Sequence, residues 1–344
     1  MAYLVTGGCG FVGTNLTAEL IGRGEHVLVA DNLARTGAQS NLAWLREFGS
    51  YEFHHVDTRN LDDLDALFRK SDLECVFHLA GQVAMTNSLE NPRHDFEVNV
   101  LGSINILECV RRYSPNSTVV YASSNKVYGE LEETELIETA TRYEPTGKKE
   151  IDEMARLEFL TPYGCSKGAA DQYMLEYARN FGINAVVFRH STIYGGRQRS
   201  TFDQGWVGWF CRKALDTLED PATSFTINGN GKQVRDLLHV SDAVMCYLAA
   251  HEHVAEAKGR AFNIGGGYEN SMSLLELFLH LEGELGMKMN PRKLPWRAND
   301  QKYFVADNAK AGKYLKWTPQ MNKERGIAKA IAWEQTQRET GGVK

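Results

Sequence analysis

At 344 residues the chain suits one large or two coupled domains, and its 43% hydrophobic and 24% charged content supplies an ordinary globular core. A formal charge of −6 argues against a nucleic-acid partner, which needs a basic field, and no apolar run approaches the roughly 20 residues of a membrane span. Met1 to Thr6 lacks the basic start of a signal peptide and the six cysteines show no CxxC spacing, so reduced thiols in a cytoplasmic protein, with no metal site, are expected.

Ala2 to Thr6 reads as a strand and Phe11 to Arg23 as a helix. Further strands are expected at Val27 to Ala30, Glu52 to Val56, Cys75 to Leu79, Thr118 to Ser123 and Asn184 to Arg189, with helices at Leu61 to Lys70, Asp95 to Arg112 and Pro162 to Asn180. That alternation predicts an α/β fold: a parallel sheet covered by helices on both faces, with ligands at the carboxyl ends of its strands. After Ser191 the rhythm breaks into glycines and tryptophans. Strands follow at Ser224 to Ile227, Val234 to Val240 and Arg260 to Ile264, and helices at Asp242 to Glu256, Ser273 to Leu285 and about Lys323 to Gln337. Asn228-Gly229-Asn230-Gly231 reads as a turn and the tail from Glu339 as frayed.

Thr6-Gly7-Gly8-Cys9-Gly10-Phe11-Val12-Gly13 leaves the first strand and opens a helix. Glycines at 7, 10 and 13 permit a tight turn, close approach of backbone to a pyrophosphate, and close packing of helix on sheet; the helix start offers free N–H groups to phosphate. Asp31 ends the second strand 18 residues past Gly13, where a carboxylate accepts both hydroxyls of an adenosine ribose and repels a 2′-phosphate. NAD is therefore favoured over NADP, although Arg35 nearby is a residue type that holds such a phosphate. Asp57, ending the third strand, is placed to cap an adenine amino group.

Tyr163 and Lys167 are four apart on one expected helix, so they share a face. A free tyrosine, with a pKa of ~10, is a poor base at neutral pH. A neighbouring ammonium and a positive nicotinamide ring favour its phenolate, and Ser124 can hydrogen-bond the same substrate hydroxyl.

These motifs, with His78-Leu79-Ala80-Gly81, Asn99, Ser123-Ser124 and Arg235-Asp236, resemble the extended short-chain dehydrogenase/reductase family, the NAD-dependent epimerases and dehydratases, over essentially the whole chain. More narrowly, His78 to Met85, Ser124 to Gly129, Pro162 to Met174, Phe188 to Ser191, Tyr194 to Gln198 and Asp203 to Phe210 resemble its members that invert C2 of a CDP-activated hexose. The resemblance implies a Rossmann doubly wound sheet at residues 1–190 and 236–264 that binds NAD. It also implies a smaller interleaved C-terminal lobe, 191–235 and 265–344, that binds the sugar nucleotide.

By the same resemblance Ser124, Tyr163 and Lys167 are catalytic, Tyr163 as base and acid and Lys167 as the cation that lowers its pKa and holds the nicotinamide ribose. The cofactor is expected to touch Gly7, Gly10, Phe11, Val12, Gly13, Asp31, Asn32, Arg35, Asp57, Thr58, Leu79, Ala80, Gln82, Asn99, Ser123, Tyr163, Lys167 and His190. Arg235 and Arg297 match pyrophosphate-gripping arginines, Asp300 takes the ribose of the sugar nucleotide, and Gln204 and Asn228 fall near where the base is read. The implied reaction lends a hydride to NAD⁺, turns the transient keto sugar, and returns the hydride to its other face; the residues alone leave open C2 or C4, the hexose, and a CDP or UDP handle. Family dehydratases follow the catalytic Ser or Thr with Asp and Glu, whereas Asn125 and Lys126 follow Ser124 here, so elimination of water lacks its carboxylates. The charged segment Glu144 to Glu158 precedes Tyr163 and is expected to shape the sugar pocket. A homo-oligomer, dimer or tetramer, built on the helices at 95–112 and 162–180, and a place in lipopolysaccharide O-antigen synthesis complete the implications.

Overall fold

A computed structural model describes residues 1–297 and 299–339. Ala298, inside the Arg297 to Asp300 stretch, and the tail 340–344, expected to fray, lie outside the described residues.

The strands are β1 (Ala2–Thr6), β2 (Val27–Asp31), β3 (Glu52–His55), β4 (Leu73–His78), β5 (Thr118–Ser124), β6 (Leu136–Glu138), β7 (Tyr143–Pro145) and β8 (Asn184–His190). They continue with β9 (Thr192–Tyr194), β10 (Thr226–Asn228), β11 (Val234–His239), β12 (Arg260–Ile264), β13 (Ser271–Ser273), β14 (Arg292–Leu294) and β15 (Tyr303–Phe304). The helices are α1 (Phe11–Gly22), α2 (Ala38–Leu45), α3 (Leu61–Phe68), α4 (Met85–Glu90), α5 (Pro92–Phe96), α6 (Gly102–Tyr113) and α7 (Thr161–Phe181). After them come α8 (Trp206–Glu219), α9 (Val240–Glu252), α10 (Val254–Ala257), α11 (Leu274–Leu285), α12 (Ala309–Leu315) and α13 (Lys323–Glu339).

Seven strands form one parallel sheet in the order β12-β8-β5-β4-β1-β2-β3. β1 and β8 are almost continuously buried, as strands covered on both faces must be. After β3 the chain crosses to the far side of β1 and continues at β4. The reversal opens a crevice between the carboxyl ends of β1 and β4, the place where such sheets bind ligands.

On one face Leu16 and Leu20 of α1 pack with Val244, Tyr247 and Leu248 of α9 and with Ala311, Leu315 and Trp317. The chain from Ala309 to Trp317 thus returns to the large sheet, and the Trp317 indole N–H donates to the Asp242 carbonyl at 3.0 Å. On the other face Leu64, Leu67 and Phe68 of α3 meet Ile106 and Val110 of α6 and Ala170 and Met174 of α7. A second lobe is built on β11, which pairs β9 and β15 in parallel and β13 antiparallel. There α8, α11 and α13 enclose Val207, Phe210, Phe278 and Ile327.

The alternation read from the sequence corresponds to the main elements, while α4, α8, α12, β6, β7 and β14 have no counterpart in it, and further differences have a physical reason. Helix α2 was not expected, because Gln39, Ser40 and Asn41 break its apolar pattern; it starts at Gly37, whose φ of 90° only glycine adopts freely. Asn41 is buried to serve the backbone, donating to the Cys9 carbonyl at 3.1 Å. The expected helix at 95–112 is divided into α5, a π turn at Glu97–Leu101, and α6. Strands of two or three residues, such as β9, β13 and β15, are too short to show a period.

Candidate active site

The turn after β1 is packed with no room to spare. A Cβ on Gly13 would lie 2.1 Å from the Gly7 carbonyl oxygen, and one on Gly7 would lie 2.7 Å from the Ala80 nitrogen. Gly10 at the start of α1 provides no side-chain cap, so the first-turn amides of Phe11 and Val12 keep their donors for an anion. Asp31 accepts the Cys9 N–H at 2.9 Å and the Leu33 N–H at 2.7 Å, one on each oxygen, leaving lone pairs on both for ribose hydroxyls. Burial raises its pKa, against the pull of those two amides. An uncapped helix start, a glycine cradle that any Cβ would fill, and a carboxylate 18 residues on fit a dinucleotide.

Beside that turn, Asp57 takes the Asn32 amide at 3.0 Å and the Arg59 guanidinium at 2.7 Å, which holds its carboxyl well below the usual range. Thr58 is buried against Gly102. The Leu79 N–H bonds Thr6 across the crevice at 3.1 Å. Arg35, expected on the cofactor side, hydrogen-bonds the side chain of Gln204, expected on the substrate side, so the two sets meet.

A polar network floors the crevice. Asn99, on the π turn, accepts the Gln82 N–H at 2.9 Å and donates to the Gln82 carbonyl at 3.1 Å and to Ser166 at 3.0 Å. Ser166 in turn donates to Asp95. The π turn shifts the side-chain register so that Asn99 reaches inward while α6 keeps its apolar face on the sheet. Lys167 donates to the Ala122 carbonyl at 2.6 Å, and burial lowers its pKa to about 8, which leaves it charged at neutral pH. Ser123 donates to Asp171 at 2.9 Å, and Asp171 is held bidentately by Arg189 at 2.8 and 2.9 Å. His190 pairs with the Tyr247 hydroxyl at 2.9 Å, and burial, then the charge of Lys167, depresses its pKa to about 3, so it is neutral.

A cleft of about 290 Å³ lies between the lobes. It brings together Ser124 and Tyr163 with Gln204, Asn228, Arg235, Arg297 and Asp300, residues spread from 124 to 300 in the sequence. Lys167 does not line it. Burial pushes the Tyr163 phenol up to about 12; its hydrogen bond with Ser124 and the Arg35 charge pull the other way. Asp300 accepts Arg235 at 3.1 Å and Lys126 at 3.3 Å on one oxygen. Arg297 donates to the Asn228 side chain at 2.9 Å and lies over the Phe202 ring. Val83, Met85 and Thr192 also line the cleft, and sequence reasoning assigned them no role.

The segment 144–158, expected to shape the sugar pocket, does not line the cleft. It packs instead behind the turn that follows Ser124, where the Glu158 N–H donates to the Val127 carbonyl at 2.9 Å, and against the second lobe. Ile151 bridges Ala306, Glu150 accepts the Tyr268 N–H at 3.1 Å, and the Lys149 carbonyl takes the Tyr303 hydroxyl at 2.6 Å. Of its charges, Lys148 pairs with Asp152 and Asp307, both at 2.8 Å.

The fold and this cleft are those of an enzyme acting on nucleotide-linked sugars. Residues 3–265 match the NAD dependent epimerase/dehydratase family, and the chain belongs to it; its cofactor is NAD. The chain is 51% identical to the CDP-paratose 2-epimerase of Salmonella typhi, over 97% of this chain and 99% of that protein. Among solved structures it resembles the UDP-glucose 4-epimerase of Thermotoga maritima with UDP-glucose (TM-score 0.84, 28% identity, covering 98% and 100% of the two chains). The UDP-glucose 4-epimerase of Thermus thermophilus in complex with NAD is similar too, with a TM-score of 0.81 and 27% identity over 97% and 99%.

Proposed function

We propose that the chain is an NAD-dependent epimerase that inverts C2 of CDP-paratose to give CDP-tyvelose. The observation that carries this reading is the cleft itself, which sets Ser124 and Tyr163 beside three cations while withholding carboxylates from positions 125 and 126. Asn125 there donates to Gln301 at 2.8 Å and Lys126 pairs with Asp300, so no base for eliminating water stands after Ser124. The relative at 51% identity supports the CDP handle and the C2 position.

NAD, when bound, supplies a hydride acceptor that returns the hydride to the same carbon. Gly7, Gly10, Phe11, Val12 and Gly13 are placed to hold its phosphates, Asp31 its adenosine ribose, and Lys167 its second ribose. Tyr163 takes the proton from the sugar hydroxyl and gives it back, with Ser124 hydrogen-bonded to the same oxygen. Burial raises the phenol's pKa, so Tyr163 acts as a base near neutral pH only where cations stabilise its phenolate. The Lys167 ammonium and the positive ring of the oxidised cofactor are the cations at hand. Arg235 and Arg297 hold the diphosphate while the sugar turns, so binding energy is placed away from the reacting carbon. Asp300 takes the ribose, and Gln204 and Asn228 lie near the base. In this reading residues 1–190 and 236–264 serve the cofactor and 191–235 with 265–344 the sugar nucleotide, with Ala309 to Trp317 packing the former. Homo-oligomerisation, as dimer or tetramer, is supported by Phe96, Leu101 and Tyr173, exposed apolar groups on the helical region 92–113 and on α7.

C2-deuterated CDP-paratose tests the reading. Product that keeps its deuterium supports hydride return at C2. Loss of the label to water, or turnover of UDP-glucose with none of CDP-paratose or CDP-glucose, overturns it.

A further inference from the structure

We propose that the Lys126 ammonium grips the sugar-bearing phosphate of the substrate, as a third cation beside Arg235 and Arg297 and the one nearest the reacting carbon. This rests on the nucleotide-sugar reading above.

A run of contacts orders the groups along the cleft. Tyr163 and Ser124 line the cleft together, and the Ser124 hydroxyl oxygen accepts the Lys126 N–H at 3.1 Å in the short turn Asn125–Val127. From there the Lys126 side chain reaches Asp300 at 3.3 Å, and the same Asp300 oxygen takes Arg235 at 3.1 Å. Arg297, tied to Asn228 and laid over Phe202, stands at the far end. Lys126 therefore falls between the proton-carrying tyrosine and the arginine pair, where the phosphate that bears the sugar must lie if the sugar is to meet Tyr163.

The charges are unbalanced in the sense a diphosphate corrects. Lys126 and Arg235 share Asp300 while Arg297 bonds Asn228, and Asp203, the other carboxylate lining the cleft, accepts the hydroxyls of Thr86 at 2.5 Å and Thr201 at 2.7 Å, so three cations face two carboxylates among the described lining residues. Arg235 spends further donors on the carbonyls of Val234 and Gln301, both at 2.7 Å. Lys126 has three donors, and Asp300 takes one of them. Its side chain is 20% exposed and lines the cleft. A cation so placed is costly unless an anion meets it, and a phosphate oxygen suits a point-charge ammonium. Burial lowers the pKa of Lys126 against the pull of Asp300, and an incoming phosphate favours its charged form.

The test compares CDP with CMP on NAD-loaded protein by calorimetry, in wild type, Lys126→Met and Lys126→Gln. CMP lacks the phosphate assigned to Lys126. The expected result is CDP binding weakened roughly 10- to 100-fold in both variants. CMP affinity, NAD content and melting temperature stay near wild type, and KM for CDP-paratose rises more than kcat falls. Equal losses for CDP and CMP, with a lowered melting temperature, make Lys126 a structural residue and overturn the proposal. So does unchanged CDP binding, or a loss seen with CDP-paratose alone, which moves the contact to the sugar. Wild-type protein that takes up neither CDP nor CMP fails at an earlier step: it overturns the nucleotide-sugar reading and this proposal with it.

Discussion

Tyr163 carries one hydroxyl into a cleft where burial pushes its pKa up to about 12, so removing that oxygen tests its role with little change in shape. Tyr163→Phe is expected to lower kcat by at least roughly 10²-fold, while retained NAD, read by absorbance of the denatured extract, stays at wild-type level. Asp236 makes a second residue-level prediction. It is fully buried, accepts the Gly267 and Ala306 N–H groups at 3.0 and 3.2 Å, and burial lifts its pKa to about 6. Because the folded protein holds this proton more tightly than the unfolded chain, stability from this group is present below about pH 4 and is lost as pH rises through about 6. Asp236→Asn keeps the acceptor without the charge. Its stability relative to wild type is expected to improve between pH 4 and 7 by up to ~3 kcal/mol, measured by denaturant titration at each pH. A flat difference would refute the assignment. Tyr163 was legible as a cleft residue through its spacing to Lys167, and Ser124, Arg235 and Arg297 through the family resemblance of the stretches that hold them. Lys126 was visible only as the absence of a carboxylate, since its partner Asp300 is 174 positions away and no local pattern joins them.

At the scale of elements, β1, β2, β5 and β8 of the large sheet were legible because strands buried on both faces read as largely apolar runs, whereas the edge strand β3, Glu52-Phe53-His54-His55, is exposed or half-buried throughout. The helix α2 was not, since it begins on a glycine and buries an asparagine; nor was the π turn, whose extra residue leaves the local composition unchanged. The turn between β1 and α1 makes a sharp prediction. Gly13→Ala places a methyl group 2.1 Å from the Gly7 oxygen, so α1 must move away from β1. The variant is expected to lose about 1–3 kcal/mol of stability and to purify with little NAD. A structure in which α1 keeps its place and the cofactor is retained would show that the turn has slack it does not display.

At the scale of the molecule, the lobes are pinned by aromatic and basic side chains as well as by apolar cores. The Arg197 guanidinium lies 3.8 Å from the Trp44 ring centre in α2 and 4.8 Å from that of Trp333 in α13. Its φ of 71° is unfavourable for a side chain with a Cβ, so the stack must outweigh that strain. Arg197→Ala is expected to lower stability by roughly 1–3 kcal/mol without changing KM, as read by chemical denaturation and steady-state kinetics. The helix α12 and Trp317 have a wider consequence. They complete the core under the large sheet although they come after almost all of the second lobe in the chain. A ribosome making this protein therefore releases the strands of the large sheet long before the residues that seal one of its faces. Stable uptake of the dinucleotide during synthesis must wait until Trp317 has left the exit tunnel, and the nascent chain carries an open apolar surface until then.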